Sequence, residues 1–103
     1  MRSELAGLVG KKVYVTGRVI NIREARWANK QRYCLGSLEY ARKSKRAVME
    51  PMDGHLWIQW DRRSLLMDDR VHVLGIVRMY PKRGQNGTYD YGLNDVHWVR
   101  RIP

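Results

Sequence analysis

The sequence predicts an all-β fold: one domain of five strands curled into a small barrel, with a short helical insert between strands three and four. Three observations carry that expectation. Apolar and β-branched residues recur with a period of two in five separate stretches. Glycine, proline and the pairs Asp53-Gly54 and Asn86-Gly87 punctuate the gaps between them. At 103 residues, 44% of them apolar, the chain can fill one compact core and not two.

Taken in order, Ser3 to Val9 suits one or two helical turns, capped by Ser3, with Leu5, Leu8 and Val9 on one side and Gly10 as the stop. Lys11 to Ile22 is the clearest strand, with Val13, Val15 and Val19 on one face. Gly17 inside it implies a sharp bend or the close approach of another backbone. A basic connection, Arg23 to Arg32, leads to a second strand at Tyr33 to Tyr40, and Ala41 to Gly54 reads as a long exposed connection with room for local helix. His55 to Asp61 is strand three, alternating Leu56, Ile58 and Trp60 against His55, Trp57 and Gln59. Ser64 to Asp69 is the helical insert. Arg70 to Tyr80 is strand four, with Val71, Val73, Gly75 and Val77 inward. A hairpin through Asn86-Gly87 joins it to strand five, Leu93 to Ile102. No internal repeat or low-complexity tract breaks this single domain, which spans residues 1–103.

Charge narrows the partner. Twenty Lys and Arg against ten acids give a net charge of +10, and fourteen of the twenty are Arg. Such a field concentrates polyanions. Guanidinium forks onto phosphate and stacks on bases, whereas a membrane surface is served equally well by Lys, so nucleic acid comes before membrane. One cysteine, Cys34, forms no intrachain disulfide, no apolar run reaches the roughly 20 residues that span a bilayer, and the N-terminus lacks a secretory pattern. An intracellular setting, in cytoplasm, nucleoid or nucleus, is expected.

Two segments interleave cations with aromatics, the combination that neutralises phosphates and stacks bases of a single strand. The first is Arg23, Arg26, Trp27, Lys30, Arg32 and Tyr33; the second is Tyr80, Lys82, Arg83, Tyr89 and Tyr91. Each has a plain alternative as solvated loop with its aromatics folded back. Trp57, on the face opposite Leu56 and Ile58, is the candidate platform between them, unless it is covered by the 41–54 connection or a second copy. Arg42, Lys43, Lys45 and Arg46 form the densest charge run and extend the basic surface. Arg18, opposite in parity to the valines of strand one, reaches toward the same groove. Arg100 and Arg101 add general electrostatics.

Catalysis has little basis. His55, His72 and His97 are 17 and 25 residues apart, with none near Cys34, so neither metal-ligand spacing nor a cysteine–histidine pair is visible. Asp68-Asp69 reads as a turn or helix end before a metal site, and Gly84 to Gly87 lacks the lysine of a phosphate loop. No cofactor, metal or catalytic residue is expected.

The segment Val13-Tyr-Val-Thr-Gly-Arg-Val, followed four residues later by Arg23, resembles the first strand of OB domains of the tRNA-anticodon-binding and replication-protein-A families. Asp69-Arg-Val-His-Val-Leu-Gly-Ile-Val resembles their fourth strand. The likeness runs from about Leu8 to Ile102 and implies a five-stranded Greek-key OB barrel. Its binding surface would be the face of strands two and three, flanked by the loops joining strands one to two and four to five. It further implies a sequence-tolerant single-stranded DNA binder of replication, recombination or repair, DNA being preferred to RNA on the resemblance alone. An RNA binder, or an OB adaptor docking a protein partner, is the alternative. Oligomeric state is open to a homodimer or a place in a larger replication or repair complex.

Overall fold

The computed structural model describes residues 3–26, 29–42, 48–81 and 89–103. Most of these lie in antiparallel sheet. A short 3-10 helix, Ser3–Leu8, precedes β1 (Lys12–Glu24), β2 (Lys30–Arg42), β3 (Glu50–Met52), β4 (Leu56–Asp61), β5 (Arg70–Pro81) and β6 (Tyr89–Ile102). Leu5 and Leu8 are buried and Val9 is exposed, because three residues per turn align i with i+3 and carry the next position off the apolar line.

The strand order is β3-β2-β1-β5-β6, with β4 also pairing β2. One edge of β2 carries β1; the other carries β4 along Lys30–Leu35 and β3 along Leu38–Tyr40. The sheet curls around a core in which Val13, Val15, Val19, Tyr33, Leu35, Leu56, Ile58, Val71, Val73 and Val77 are almost wholly excluded from water. Curling brings the outer strands face to face. Trp57, Ile58 and Gln59 of β4 line one side of a groove and Leu93 to Val96 of β6 the other. No ladder joins β4 to β6 among the described residues, so the sheet remains open there.

Three expectations need correction. Six strands form rather than five, because β2 is 13 residues long and β4 pairs with only its first half. The backbone groups of Leu38 to Tyr40 also need partners, and Glu50–Met52, inside what the sequence suggests is an exposed connection, supplies them. Pro51 is tolerated because β3 is an edge strand. The insert between the third and fourth predicted strands is not helical. Residues 62–69 form turns in which Arg63 and Asp68 have φ of 60° and 69°. Its own backbone bonds close isolated turns, Ser64 N–H to Asp61 O and Asp69 N–H to Leu66 O, while the Asp68 N–H donates to Val19 O and Val19 N–H donates to Asp69 O, which ties the segment to β1 in place of a continuous helix. Leu65 alone enters the core from it. Finally, the basic connection is shorter than expected: Arg23 lies in β1 and Arg32 in β2, leaving residues 25–29 between the strands.

Two bulges decide which side chains face out. Between Thr16 and Arg18 the register slips on β2, where Ser37, with φ of 51°, is the extra residue. Gly17 sits at this point with no room for a side chain: a Cβ there would lie 3.0 Å from Leu35 Cβ, 3.0 Å from Leu38 Cδ2 and 3.1 Å from Gly36 O. Between Val19 and Asn21 the slip is on β1, at Ile20. Since a one-residue slip moves every later side chain to the opposite face, Val13, Val15 and Val19 point inward, Ile22 packs against the core, and Arg23 points outward.

Candidate nucleic-acid interface

On the outer face of the β1-β2-β4 layer the register places Arg23 opposite Arg32, Arg32 opposite Gln59, and Cys34 opposite Trp57. Trp57 faces away from buried Leu56 and Ile58, as strand alternation predicts, and is half-buried. Two guanidinium groups converge on it: Arg23 Cζ lies 5.5 Å and Arg32 Cζ 5.8 Å from the ring centroid. Both are within cation–π reach. Arg32 Nε also donates to Glu24 O at 3.2 Å, which orients its planar fork. Neither arginine has a carboxylate within 4 Å among the described residues.

The groove beside this ring has two stretches that share Arg32, Trp57, Leu93 and Asn94. One, of about 320 Å³, continues along Gln59, Asp95 and Val96. The other, of about 410 Å³, continues along Arg78, Met79, Tyr80 and Gly92. Tyr80 is 43% exposed, and its ring lies over Gly92, 3.1 Å from where a Cβ would stand. Arg78 pairs with Asp95 at 3.1 Å, so its charge is partly neutralised within the groove wall. The arrangement offers a flat ring, adjacent guanidinium forks, amide groups and a second aromatic along one channel. It carries the parts for stacking and phosphate contact.

The other candidates are distributed differently. Tyr33 belongs to the core rather than to the surface: it is fully buried, its hydroxyl 2.9 Å from Asp61 O and 3.0 Å from Gln31 Oε1. It points inward because it pairs with Ile58 and Ile22 across the sheet. Tyr91 likewise packs against the core. Lys30 is committed locally, 3.2 Å from Asp61 Oδ1 and 5.3 Å from the Trp60 ring centroid. Arg26 is exposed just beyond β1, and Arg42 is exposed at the end of β2 in a pocket shared with Glu4 and Glu50. Burial, with Glu50 second, raises the Tyr40 hydroxyl above its usual pKa in that pocket. Arg18 does not reach the Trp57 groove; it lines a separate concavity with Thr16, Ser37, Glu39 and Arg70. Trp27, Lys43, Lys45, Arg46, Lys82, Arg83 and the side chain of Tyr89 lie outside the described residues.

Gln59 and Asn94 are groove residues that the sequence reading missed. Gln59 shares parity with Trp57 and was legible from that alone. Asn94 was not, since only the curl of the sheet brings β6 to β4. Asp68 and Asp69 have structural uses: Asp69 Oδ2 accepts from Leu66 N–H at 2.8 Å and lies 3.7 Å from Arg101, while Asp68 occupies the turn. Compared with protein-family models, with curated proteins and with solved structures, the chain finds no match.

Proposed function

We propose that this chain is a single-stranded nucleic-acid-binding protein with no catalytic step of its own, using the Trp57 groove for base stacking and the flanking arginines for phosphate. One observation carries the reading. Arg23 and Arg32 stand directly opposite each other on neighbouring strands and both approach the same indole. Like charges placed opposite in a sheet destabilise it, and among the described residues no carboxylate lies within 4 Å of either. A polyanion resolves the conflict, and a half-buried aromatic between the cations selects one whose bases are free to stack.

The finer architecture we infer is the OB barrel. The pairings β1–β2, β2–β4, β1–β5 and β5–β6, with β4 and β6 facing across a groove, are the order in which such a barrel closes, and its strand-binding face corresponds to β2 and β4. Stacking with phosphate neutralisation tolerates any base sequence, and DNA, in replication, recombination or repair, is our preferred ligand on the resemblance to OB domains alone.

Fluorescence anisotropy with labelled single-stranded DNA, the matching RNA and duplex, each at several salt concentrations, tests this. Tight binding to single-stranded DNA is expected, with affinity falling as salt rises. Preference for RNA would reassign the ligand. Equal affinity for duplex, or no binding, would overturn the proposal.

A further inference from the structure

A second Arg–Arg pair lies on a different part of the sheet. Arg18 of β1 is directly opposite Arg70 of β5, both are exposed, and neither has a carboxylate within 4 Å among the described residues. They line a concavity of about 260 Å³ with Thr16, Gly17, Ser37 and Glu39. That space has two guanidinium groups and two hydroxyls on its walls, a donor set suited to a phosphate group. Among the described residues that line it, Glu39 is the one opposing charge.

The register extends this seat into a surface. Across the same strands, Thr16 pairs with His72 and His72 with Arg100, while Tyr14 pairs with Leu74 and Leu74 with Trp98. Tyr14, His72 and Trp98 form a three-ring cluster with centroids 5.3–5.9 Å apart. The Arg100 guanidinium lies 4.6 Å from the Trp98 centroid, which holds a flat cation at the surface where a base or phosphate can meet it. None of these residues lines the Trp57 groove.

We propose that the outer face of β1, β5 and β6 is a second nucleic-acid contact surface, with Arg18 and Arg70 seating a phosphate and Arg100 on Trp98 contacting the next part of the strand. The inference rests on the nucleic-acid reading of the Trp57 groove and adds a consequence to it. One chain engages two stretches of strand, so affinity depends on oligonucleotide length beyond what a single groove explains. Charge complementarity selects the occupant: three arginines face out and one carboxylate opposes them.

The test compares the wild type, the Arg18→Gln/Arg70→Gln/Arg100→Gln triple variant and the Arg23→Gln/Arg32→Gln double variant. Each is titrated with single-stranded DNA of about 6 and about 30 nucleotides, the first near the low end of the span of one such domain, about 4–16 nucleotides, and the second well above it. The triple variant should bind the short strand within twofold of wild type. On the long strand its slope of log affinity against log salt should fall by about 1.4, since two phosphates, one seated by Arg18 and Arg70 and one met by Arg100, lose their contacts and each removes about 0.7. Glu39→Gln should tighten long-strand binding. Wild-type slopes in the triple variant, with the double variant still impaired, would overturn the second surface and leave the groove standing. Equal losses on both lengths would mean one shared site and overturn it too, as would unchanged affinity in Glu39→Gln. If neither arginine set matters in proteins whose urea midpoints are unchanged, the groove reading falls as well.

Discussion

Replacing Arg23 and Arg32 together with Gln separates a structural role for these residues from a binding role. In the free protein the substitutions act in opposite directions. They remove a cross-strand like-charge pair, whose repulsion is on the order of 0.2–1 kcal/mol, and two contacts with Trp57, each worth about 0.5–1 kcal/mol at an exposed site. The net change is therefore within about 1–2 kcal/mol. At this chain length that is a shift in Tm on the order of 10 °C or less, and the fold persists. Binding responds in one direction only. Two lost phosphate contacts lower the salt slope by about 1.4, so between 50 and 200 mM salt the wild type should lose about sevenfold more affinity than the variant. Anisotropy titrations of a labelled oligonucleotide at four salt concentrations, with thermal melts of both proteins, read both effects. A wild-type slope in the variant would refute the role of these arginines at phosphate, and a collapse of the fold would show that they serve the sheet instead.

Other expectations follow from the same geometry. Gly17→Ala should destabilise by about 1–3 kcal/mol, because its methyl meets two side chains and a carbonyl at 3.0–3.1 Å; a urea midpoint equal to wild type would show that the bulge can relax. Tyr33→Phe should cost only about 0.5–1.5 kcal/mol, the net value of one hydrogen bond, because Asp61 O still accepts from Ser64 Oγ and Gln31 Oε1 from the Arg63 N–H, and affinity for single strands should be unchanged; loss of affinity in a folded variant would return Tyr33 to the site. Trp57→Ala should weaken binding by about 1–3 kcal/mol with little change in salt slope, the signature of stacking rather than charge; a changed slope with unchanged affinity at low salt would argue against it. His72 is held below its usual pKa by burial first and by Arg100 second, and its Nε2 is buried without a hydrogen-bond partner. The unfolded chain therefore binds this proton more readily than the native one. Its contribution is fully present above pH about 6.5 and is lost as pH falls from there toward the lower native value. Denaturant melts from pH 8 to pH 5 should show a decline that His72→Gln flattens; an equal decline in the variant would assign it to other groups.

Local chemistry alone determined much of this protein. Period-two runs at Val13 to Val19, Leu56 to Trp60 and Val71 to Val77 specify strands and their inward faces, because alternation is a property of the extended backbone itself. The orientation of Trp57 away from Leu56 and Ile58 follows from that rule, as does a basic, arginine-rich, aromatic surface from composition. Tertiary structure decided what alternation leaves undetermined. Whether Arg23 faces in or out depends on the extra residue at Ile20, and Tyr33 became core because its strand pairs it with Ile22 and Ile58. β3 exists because β2 outruns β4, a matter of unpaired backbone rather than of the residues in Glu50–Met52. The Arg23–Arg32 and Arg18–Arg70 pairs, nine and fifty-two positions apart in the chain, meet only through strand register. Register is set by the summed packing of a whole face and by where bulges fall, and no single stretch of sequence contains that information.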